Sequence, residues 1–111
     1  MDSKFKAIIL PQAEADISDI LDYIANDLSN ATAAEHLWVD MIEAIGRAKT
    51  FPYAMPVVKN ERITLGAEYR RLDVNNYTLI YKIAEDEKEI RIFAVFYGPS
   101  NVLSKLLNRI K

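Results

Sequence analysis

Apolar residues recur along the chain with two different periods, and the change of period separates strands from helices. Residues 4–10, KFKAIIL, are apolar and β-branched toward their end, and Pro11 follows them, which predicts a strand. From Pro11 to Leu28 the apolar residues fall at the i, i+4, i+7 and i+8 spacing of one buried helical face. This first stripe consists of Ala13, Ile17, Ile20, Leu21, Ile24 and Leu28.

A second stripe with the same spacing predicts another helix. Ser29 or Asn30 can cap its start, and it ends before Pro52, because the residue before a proline is pushed out of the helical region. The members of this stripe are Ala34, Leu37, Trp38, Met41, Ile42, Ile45 and Ala48. The short link between the two stripes predicts an antiparallel helical hairpin.

The second half of the chain shows the alternation of strands. Residues 53–66 have no clear period and predict a connecting loop. Residues 68–74, 77–84 and 89–97 predict a three-stranded antiparallel meander. The tail, residues 100–111, repeats apolar residues on one face and predicts a short C-terminal helix. We therefore expect one α+β domain over residues 1–111, with a four-stranded sheet packed on the helical hairpin.

The turn between the first two meander strands sets which side chains share a face. Asparagine tolerates the positive φ of a tight hairpin, so Asn75 and Asn76 predict a two-residue turn. That turn would pair Val74 with Tyr77, Leu72 with Leu79 and Arg70 with Tyr81. The predicted core face is Leu72, Val74, Tyr77, Leu79, Tyr81, Ile83, Ile90, Ile92, Ala94 and Phe96. The opposite face is Tyr69, Arg71, Asp73, Thr78, Ile80, Lys82, Arg91, Phe93, Val95 and Tyr97.

The opposite face is too basic for a core and too apolar for bare solvent, which favours a surface that meets a partner or the terminal helix. Arg71 points to this face, whereas Arg70 lies at the rim of the core face near Tyr81, so Arg71 is the better candidate for binding. The full set of candidates is Arg71, Lys82, Arg91, Ile80, Phe93, Val95 and Tyr97. Exposed bases on a sheet are common, and a merely solvated face is the alternative interpretation.

Composition excludes several classes of function. A chain of 111 residues, 50% of them hydrophobic, is long enough for one core and too short for two domains. No apolar run reaches the roughly 18 residues of a membrane span, and no signal peptide is recognisable, so we expect a cytoplasmic protein. Without cysteine the chain has neither a disulfide nor a cysteine-ligated metal, and nothing in its pattern predicts a metal or cofactor.

Charge is segregated along the chain. The net charge of −2 argues against direct DNA binding by this chain alone. Residues 1–43 carry nine acids and two bases, whereas residues 44–111 carry seven acids and twelve bases. Such asymmetry can mark one face for an anionic partner, although two solvated acidic helices beside an ordinary sheet explain it equally well.

The order of elements and several short motifs resemble the RelE/ParE superfamily of toxins of type II bacterial toxin–antitoxin systems. The motifs are "A..DI..I..YI" in the first helix, "FP" after the second, then "YRRL", "NYTLIYKI" and "IRIFAVFYG". The resemblance covers nearly the whole chain. It implies a growth-inhibiting toxin, of the kind associated with plasmid stabilisation, that a cognate antitoxin protein neutralises.

The branches of this superfamily differ in what they act on. The resemblance implies either a ParE-like toxin that inhibits DNA gyrase by binding, or a RelE-like endoribonuclease that cleaves messenger RNA in the ribosome. RNA cleavage without a metal needs a base, an acid and cations for the phosphate. The residues that match RelE-like enzymes are Arg71 and, loosely, Tyr97. A degenerate toxin that only binds its antitoxin is a third possibility.

The chain departs from the RelE-like pattern at two places. Thr78 stands where an arginine usually follows the tyrosine of the "NY" pair, and residues 98–101, Gly-Pro-Ser-Asn, replace the expected basic stretch. His36, the single histidine, lies outside the apolar stripe of the second helix and is expected to be solvated. These departures favour the ParE-like toxin or the degenerate toxin over the enzyme.

Overall fold

The computed structural model describes residues 5–59 and 65–110. In chain order the elements are β1 (Lys6–Ile9), α1 (Pro11–Asp22), a π-helical turn (Tyr23–Asp27), α2 (Ala31–Thr50), β2 (Val57–Val58), β3 (Tyr69–Val74), β4 (Tyr77–Ala84), β5 (Glu89–Tyr97) and α3 (Val102–Ile110). The predicted α+β class, the helical hairpin, the meander and the C-terminal helix are confirmed. Residue 4, residues 60–64 and residue 111 of the predicted segments lie outside the described residues. Within the described ranges no helix is long and apolar enough to cross a membrane.

Capping residues set the start and the end of the helices in the hairpin. The side chain of Asn30 accepts a hydrogen bond from the backbone N–H of Ala33 at 3.1 Å, which satisfies one free donor at the start of α2. Phe51, which precedes Pro52, is the C-terminal cap residue of α2. The first helix differs from the prediction, because its last turn widens into the π-helical turn before Ser29 adopts a positive φ of 50°.

The sheet is mixed and has five strands in the order β1-β5-β4-β3-β2. Strand β1 runs parallel to β5, and the other neighbours are antiparallel. The expected four strands become five because Val57 and Val58, inside the predicted loop, pair with β3. Two residues after Pro56 are too few to show a period, so this strand had no signal in the sequence. The register predicted from the Asn75–Asn76 turn is confirmed, with Leu72 opposite Leu79 and Arg70 opposite Tyr81.

Strand β5 contains one residue more than the stretch of β4 with which it pairs. Ile80 pairs with Ala94 and Tyr81 pairs with Ile92, so Phe93 has no partner in β4. This β-bulge shifts the alternation of every later side chain in β5 to the other face of the sheet.

The predicted faces of the last four residues of β5 are therefore wrong. Val95 was expected on the basic face, but it is buried against the hairpin, and Tyr97 lies beside Tyr77 on that same side. Ala94 and Phe96 were expected on the hairpin side, but they pack under α3. The predictions for residues before the bulge, on both faces, are confirmed.

Each face of the sheet is covered by helix. The first core lies between the sheet and the hairpin, and its fully buried members include Met41, Leu79, Tyr81, Ile90 and Ile92. The second core lies between the opposite face and α3 and comprises Val58, Tyr69, Ile80, Ala94, Val102 and Leu106. Helix α3 therefore covers the apolar part of the basic face, for which the sequence predicted either the terminal helix or a partner as cover.

An ion pair joins the two helical layers around one edge of the sheet. Asp16 of α1 receives two hydrogen bonds from the guanidinium of Arg109 in α3, at 3.0 and 3.1 Å. The same carboxylate accepts the backbone N–H of Val95 at 2.9 Å. Because β1 covers only Glu89–Ile92 of β5, Asp16 satisfies a donor on the strand edge that β1 leaves open.

Because Tyr81 is buried in the first core, the stability of the fold should depend on pH in the alkaline range. Its side chain is fully buried, and its hydroxyl donates to the carbonyl oxygen of Pro52 at 2.5 Å. Burial raises the pKa of Tyr81 from 10.0 to about 12, against the opposing effect of the positive charge on Arg70.

We expect the free energy of unfolding to fall as pH rises from 10 toward about 12. The neutral phenol stabilises the fold fully below the unfolded-state pKa, and this contribution is lost as the folded-state group ionises. Tyr81→Phe should remove this part of the pH dependence and, at neutral pH, cost about 1 kcal/mol for the lost hydrogen bond. Urea unfolding measured across this pH range tests the prediction, with Tyr23→Phe as the exposed control. If Tyr81→Phe kept the wild-type pH dependence, the assignment would be wrong.

Candidate functional site

Arg70 is held by the segment that follows the hairpin. Its guanidinium donates to the carbonyl oxygens of Tyr53 at 3.0 Å and of Met55 at 2.6 Å, and to the carboxylate of Glu68 at 3.1 Å. It also stacks over the ring of Tyr53 at 5.3 Å, and only 11% of its side chain is exposed. An arginine with these partners fastens residues 53–55 to β3.

Arg71 lies on the other face and is partly open to solvent. Its guanidinium bonds to Asp73 at 3.0 Å and reaches the carbonyl oxygen of Pro99 at 3.3 Å, and 26% of its side chain is exposed. With Lys59 and Asn101 it lines a shallow polar groove of about 340 Å³ between β2 and the start of α3. Among the residues that the structure describes, Arg71 and Lys59 are the cations that line this groove.

The other two basic candidates lie farther along the same face. The ammonium group of Lys82 lies 5.6 Å from the ring centre of Tyr69 and 5.4 Å from that of Phe93, within reach of cation–π attraction. Arg91 pairs with Glu89 at 3.0 Å and with Glu87 at 3.8 Å. Lys82 and Arg91 therefore already have partners within the chain.

The apolar candidates do not form one surface. Ile80 is fully buried under α3, and Phe93 is only partly exposed beside the same core. Val95 and Tyr97 belong to the hairpin side because of the bulge. Arg71 and Tyr97, the two residues that match a RelE-like active site, consequently lie on opposite faces of the sheet.

Thr78 lies on the face of the sheet that packs against α3. It is fully buried, and its hydroxyl lies 3.0 Å from the carboxylate of Asp73 and 3.4 Å from the carbonyl oxygen of Gly98. Both neighbours are acceptors, so the single hydroxyl proton is committed to one of them. A neutral, buried donor of this kind cannot replace an arginine at a phosphate.

A second concave surface, mostly apolar, was not singled out in the sequence analysis. We call it the aromatic groove, a depression of about 570 Å³ where the hairpin meets the ends of β4 and β5. Its lining consists of Asp19, Ile20, Tyr23, Ile24, Leu28, Tyr77 and Tyr97. Tyr23, Leu28 and Tyr97 are 53%, 55% and 68% exposed, although all three are large and apolar.

Local backbone features create this groove. In the π-helical turn the N–H of Leu28 donates to the carbonyl oxygen of Tyr23 at 3.0 Å, and both side chains line the groove. The bulge turns Tyr97 to the same side, where its ring meets that of Tyr77 edge-on at 5.4 Å. Burial raises the pKa of Tyr77, and the neighbouring phenols of Tyr97 and Tyr23 raise it further.

One sign of this groove was present in the sequence. Leu28 and Tyr23 lie at the end of the first helix, where a short loop leaves no element to cover them. An apolar residue there can stay exposed, although the sequence analysis placed Leu28 on the buried face of the first helix, which is wrong for this residue. The exposure of Tyr97 had no signal in the sequence, because its face depends on the bulge. Among the described residues no group of three histidine, aspartate or glutamate side chains is placed to hold a metal ion.

Comparisons with known proteins place the chain in a family. The family model described as the ParE toxin of the type II toxin–antitoxin system, parDE, matches residues 7–100. A search of curated proteins finds no match.

Three solved structures are similar in fold. The chromosomal ParDE toxin–antitoxin system from P. aeruginosa gives a TM-score of 0.67 at 16% identity, over 87% of this chain and 99% of that chain. The archaeal RelE–RelB complex from Pyrococcus horikoshii gives 0.57 at 17% identity, over 87% and 98%. The RelBE2 toxin–antitoxin complex from Mycobacterium tuberculosis gives 0.54 at 14% identity, over 85% and 98%. At such identities the likeness concerns the fold.

Proposed function

We infer the function from a premise that the family match provides: the chain belongs to the ParE toxins of type II toxin–antitoxin systems. It acts as the toxin of such a module, inhibits a protein target by binding rather than by cutting RNA, and is neutralised by a cognate antitoxin. The target that a ParE-like toxin implies is DNA gyrase. The similar solved structures are complexes of toxins with antitoxins, which supports a partner of that kind here.

One observation carries the choice of binding over RNA cleavage. A metal-independent nuclease must bring a proton-transfer group and phosphate-binding cations to the same few ångströms. The bulge at Phe93 instead sends Tyr97 to the hairpin face, while Arg71 stays on the face of α3. The buried hydroxyl of Thr78 adds no charge near Arg71. Arg71 is then a contact residue, whose planar fork suits a carboxylate on the target.

The function is tested by inducing the chain alone in cells and in extracts. We expect relaxed plasmid DNA on topoisomer gels and inhibition of purified gyrase, with intact messenger RNA in a translating extract. Codon-specific messenger cleavage that disappears in Arg71→Ala would establish the endoribonuclease instead. Normal growth with unchanged supercoiling and intact messengers, alongside tight antitoxin binding, would show a toxin that has lost its target.

The two adjacent arginines provide a matched pair of variants. Arg70→Ala should lower the free energy of unfolding by about 1.5–3 kcal/mol, because it removes charged hydrogen bonds to two carbonyl groups, of which that of Met55 is partly buried. Arg71→Ala should cost less than about 1 kcal/mol, because the pair with Asp73 is open to solvent, and should relieve growth inhibition. Urea unfolding and a growth assay measure the two effects. Equal loss of stability in both variants would contradict this division of roles.

A further inference from the structure

Helix α2 carries an apolar strip on the side that faces away from the sheet. Val39 and Ile42 lie there, 47% and 46% exposed, although the sequence analysis placed Ile42 in the buried stripe, which is wrong for this residue. With their helical neighbours they continue a seam whose members are alternately four and three residues apart, as in a coiled coil. We call this seam the outer ridge of α2, and it consists of Glu35, Val39, Ile42, Gly46 and Lys49.

Gly46 of the outer ridge is not required by anything within the described chain. It lies in the interior of α2, where glycine is the least favourable residue apart from proline. Its φ is not positive, and a Cβ atom at this position would meet no described atom within 4 Å. A larger residue would therefore fit the isolated chain. A glycine on an open helix surface suits the close approach of a second backbone.

The two ends of the outer ridge carry opposite charges. Neither Glu35 nor Lys49 forms an ion pair with any residue that the structure describes. If a second copy of the ridge lies antiparallel with Ile42 opposite Ile42, then Val39 faces Gly46 at the next layer, and Glu35 faces Lys49 beyond it. Each of these contacts occurs twice, as the two-fold symmetry of a dimer requires. A parallel copy would instead oppose like charges at both ends.

We propose that the outer ridge is a self-association surface, on which two copies of the chain pair their α2 helices antiparallel about a two-fold axis at Ile42. The ridge is about 21 Å long at 1.5 Å per residue, which places the interface at the small end of specific complexes. We therefore expect a weak dimer whose population rises with protein concentration. Arg71 lies on the other face of the sheet and stays open in both copies. Pairing of this kind does not depend on which target the toxin binds.

Sedimentation velocity of the full chain, from about 10 µM to about 1 mM, measures the association. The sedimentation coefficient of the wild type should rise with concentration. Ile42→Glu should hold it at the monomer value, because two carboxylates would meet at the two-fold axis. Leu28→Glu, the same change at a comparably exposed residue, should associate as the wild type does. A wild-type chain that stays monomeric, or equal losses in the two variants, would overturn the proposal.

Exchange of the charges at the ends of the ridge tests the antiparallel register. Glu35→Lys and Lys49→Glu should each weaken association about three- to tenfold, because each variant brings two like-charge pairs together. The double variant restores opposite charges and should recover most of the wild-type association. Asp86→Lys, which makes the same charge change in an exposed turn, should have little effect. Failure of the double variant to recover would overturn the register.

Gly46→Gln separates a role in association from a role in folding. Glutamine favours a helix more than glycine does, and the described chain leaves room for its side chain, so the melting temperature measured at about 10 µM should rise. The same side chain should hold the two helices apart and abolish the dimer. A more stable chain that still associates as the wild type does would show that Gly46 lies outside the contact, and would overturn the proposal.

The absence of cysteine from the chain makes single thiols specific probes of the geometry. Ile42→Cys with a short bifunctional maleimide should give a covalent dimer. A mixture of Glu35→Cys and Lys49→Cys chains should give a mixed dimer that neither chain forms by itself. Efficient crosslinking of Glu35→Cys to its own copy would show another arrangement and overturn the antiparallel pairing.

Discussion

Replacing Leu79 by alanine should lower the free energy of unfolding by about 2–5 kcal/mol, the cost of lost apolar burial together with the cavity left behind. Leu79 is fully buried at the centre of β4, opposite Leu72 on one side and Val95 on the other. All three side chains belong to the core between the sheet and the hairpin. The surrounding strands are hydrogen-bonded on both sides, so the site has little freedom to collapse.

Equilibrium urea unfolding measures this effect directly. The control is Ile42→Ala, since Ile42 is 46% exposed on α2 and its truncation should change stability by no more than about 0.5 kcal/mol. A Leu79→Ala chain with wild-type melting behaviour would show that this face of the sheet is not the packed one.

Leu106→Ala should have an effect of similar size, about 2–5 kcal/mol, but through the second core. Leu106 is fully buried where α3 packs on the sheet, in one cluster with Ile80 and Val102. Loss of its side chain weakens the only helical cover that the described residues give to this face. Hydrogen exchange should therefore accelerate across Val102–Ile110 before it does in the hairpin.

The neighbouring leucine supplies the matched control for that experiment. Leu107 is half-buried and lies outside both core clusters, so Leu107→Ala should cost less than about 1 kcal/mol. Equal destabilisation by the two substitutions, or unchanged exchange in α3 of the Leu106→Ala chain, would contradict the packing of this helix.

The packing of α3 changes where a partner should be sought. From the sequence we expected the terminal helix or a partner to cover the basic face, with Ile80, Phe93 and Val95 as its apolar candidates. The terminal helix α3 covers Ile80, whereas Val95 is buried in the other core. The large apolar side chains at the aromatic groove are exposed, and Asp19, which lines the groove, forms no ion pair with any described residue. The aromatic groove therefore offers exposed apolar surface that the face under α3 does not.

The helical periodicity, the caps and the turn residues determined most of the fold from the sequence alone. They are local signals, in which a few neighbouring residues decide the backbone conformation. The cap at Asn30 and the turn at Asn75 are of this kind, and both hold in the structure. The placement of Arg70 and Arg71 on opposite faces also followed from alternation alone, because both residues lie before the bulge in the meander.

What the tertiary structure decided depends on contacts between distant residues. The extra residue at Phe93 has no local signature, because a bulge forms only when the strands on both sides and the two cores are satisfied together. That single residue moved Tyr97 away from Arg71 and into the aromatic groove. The pairing of Val57 with β3 and the contact of Asp16 with Arg109, which lies 93 positions away along the chain, arise in the same way. Sequence periodicity reports which residues are apolar, but packing in three dimensions decides which of them remain exposed for a partner.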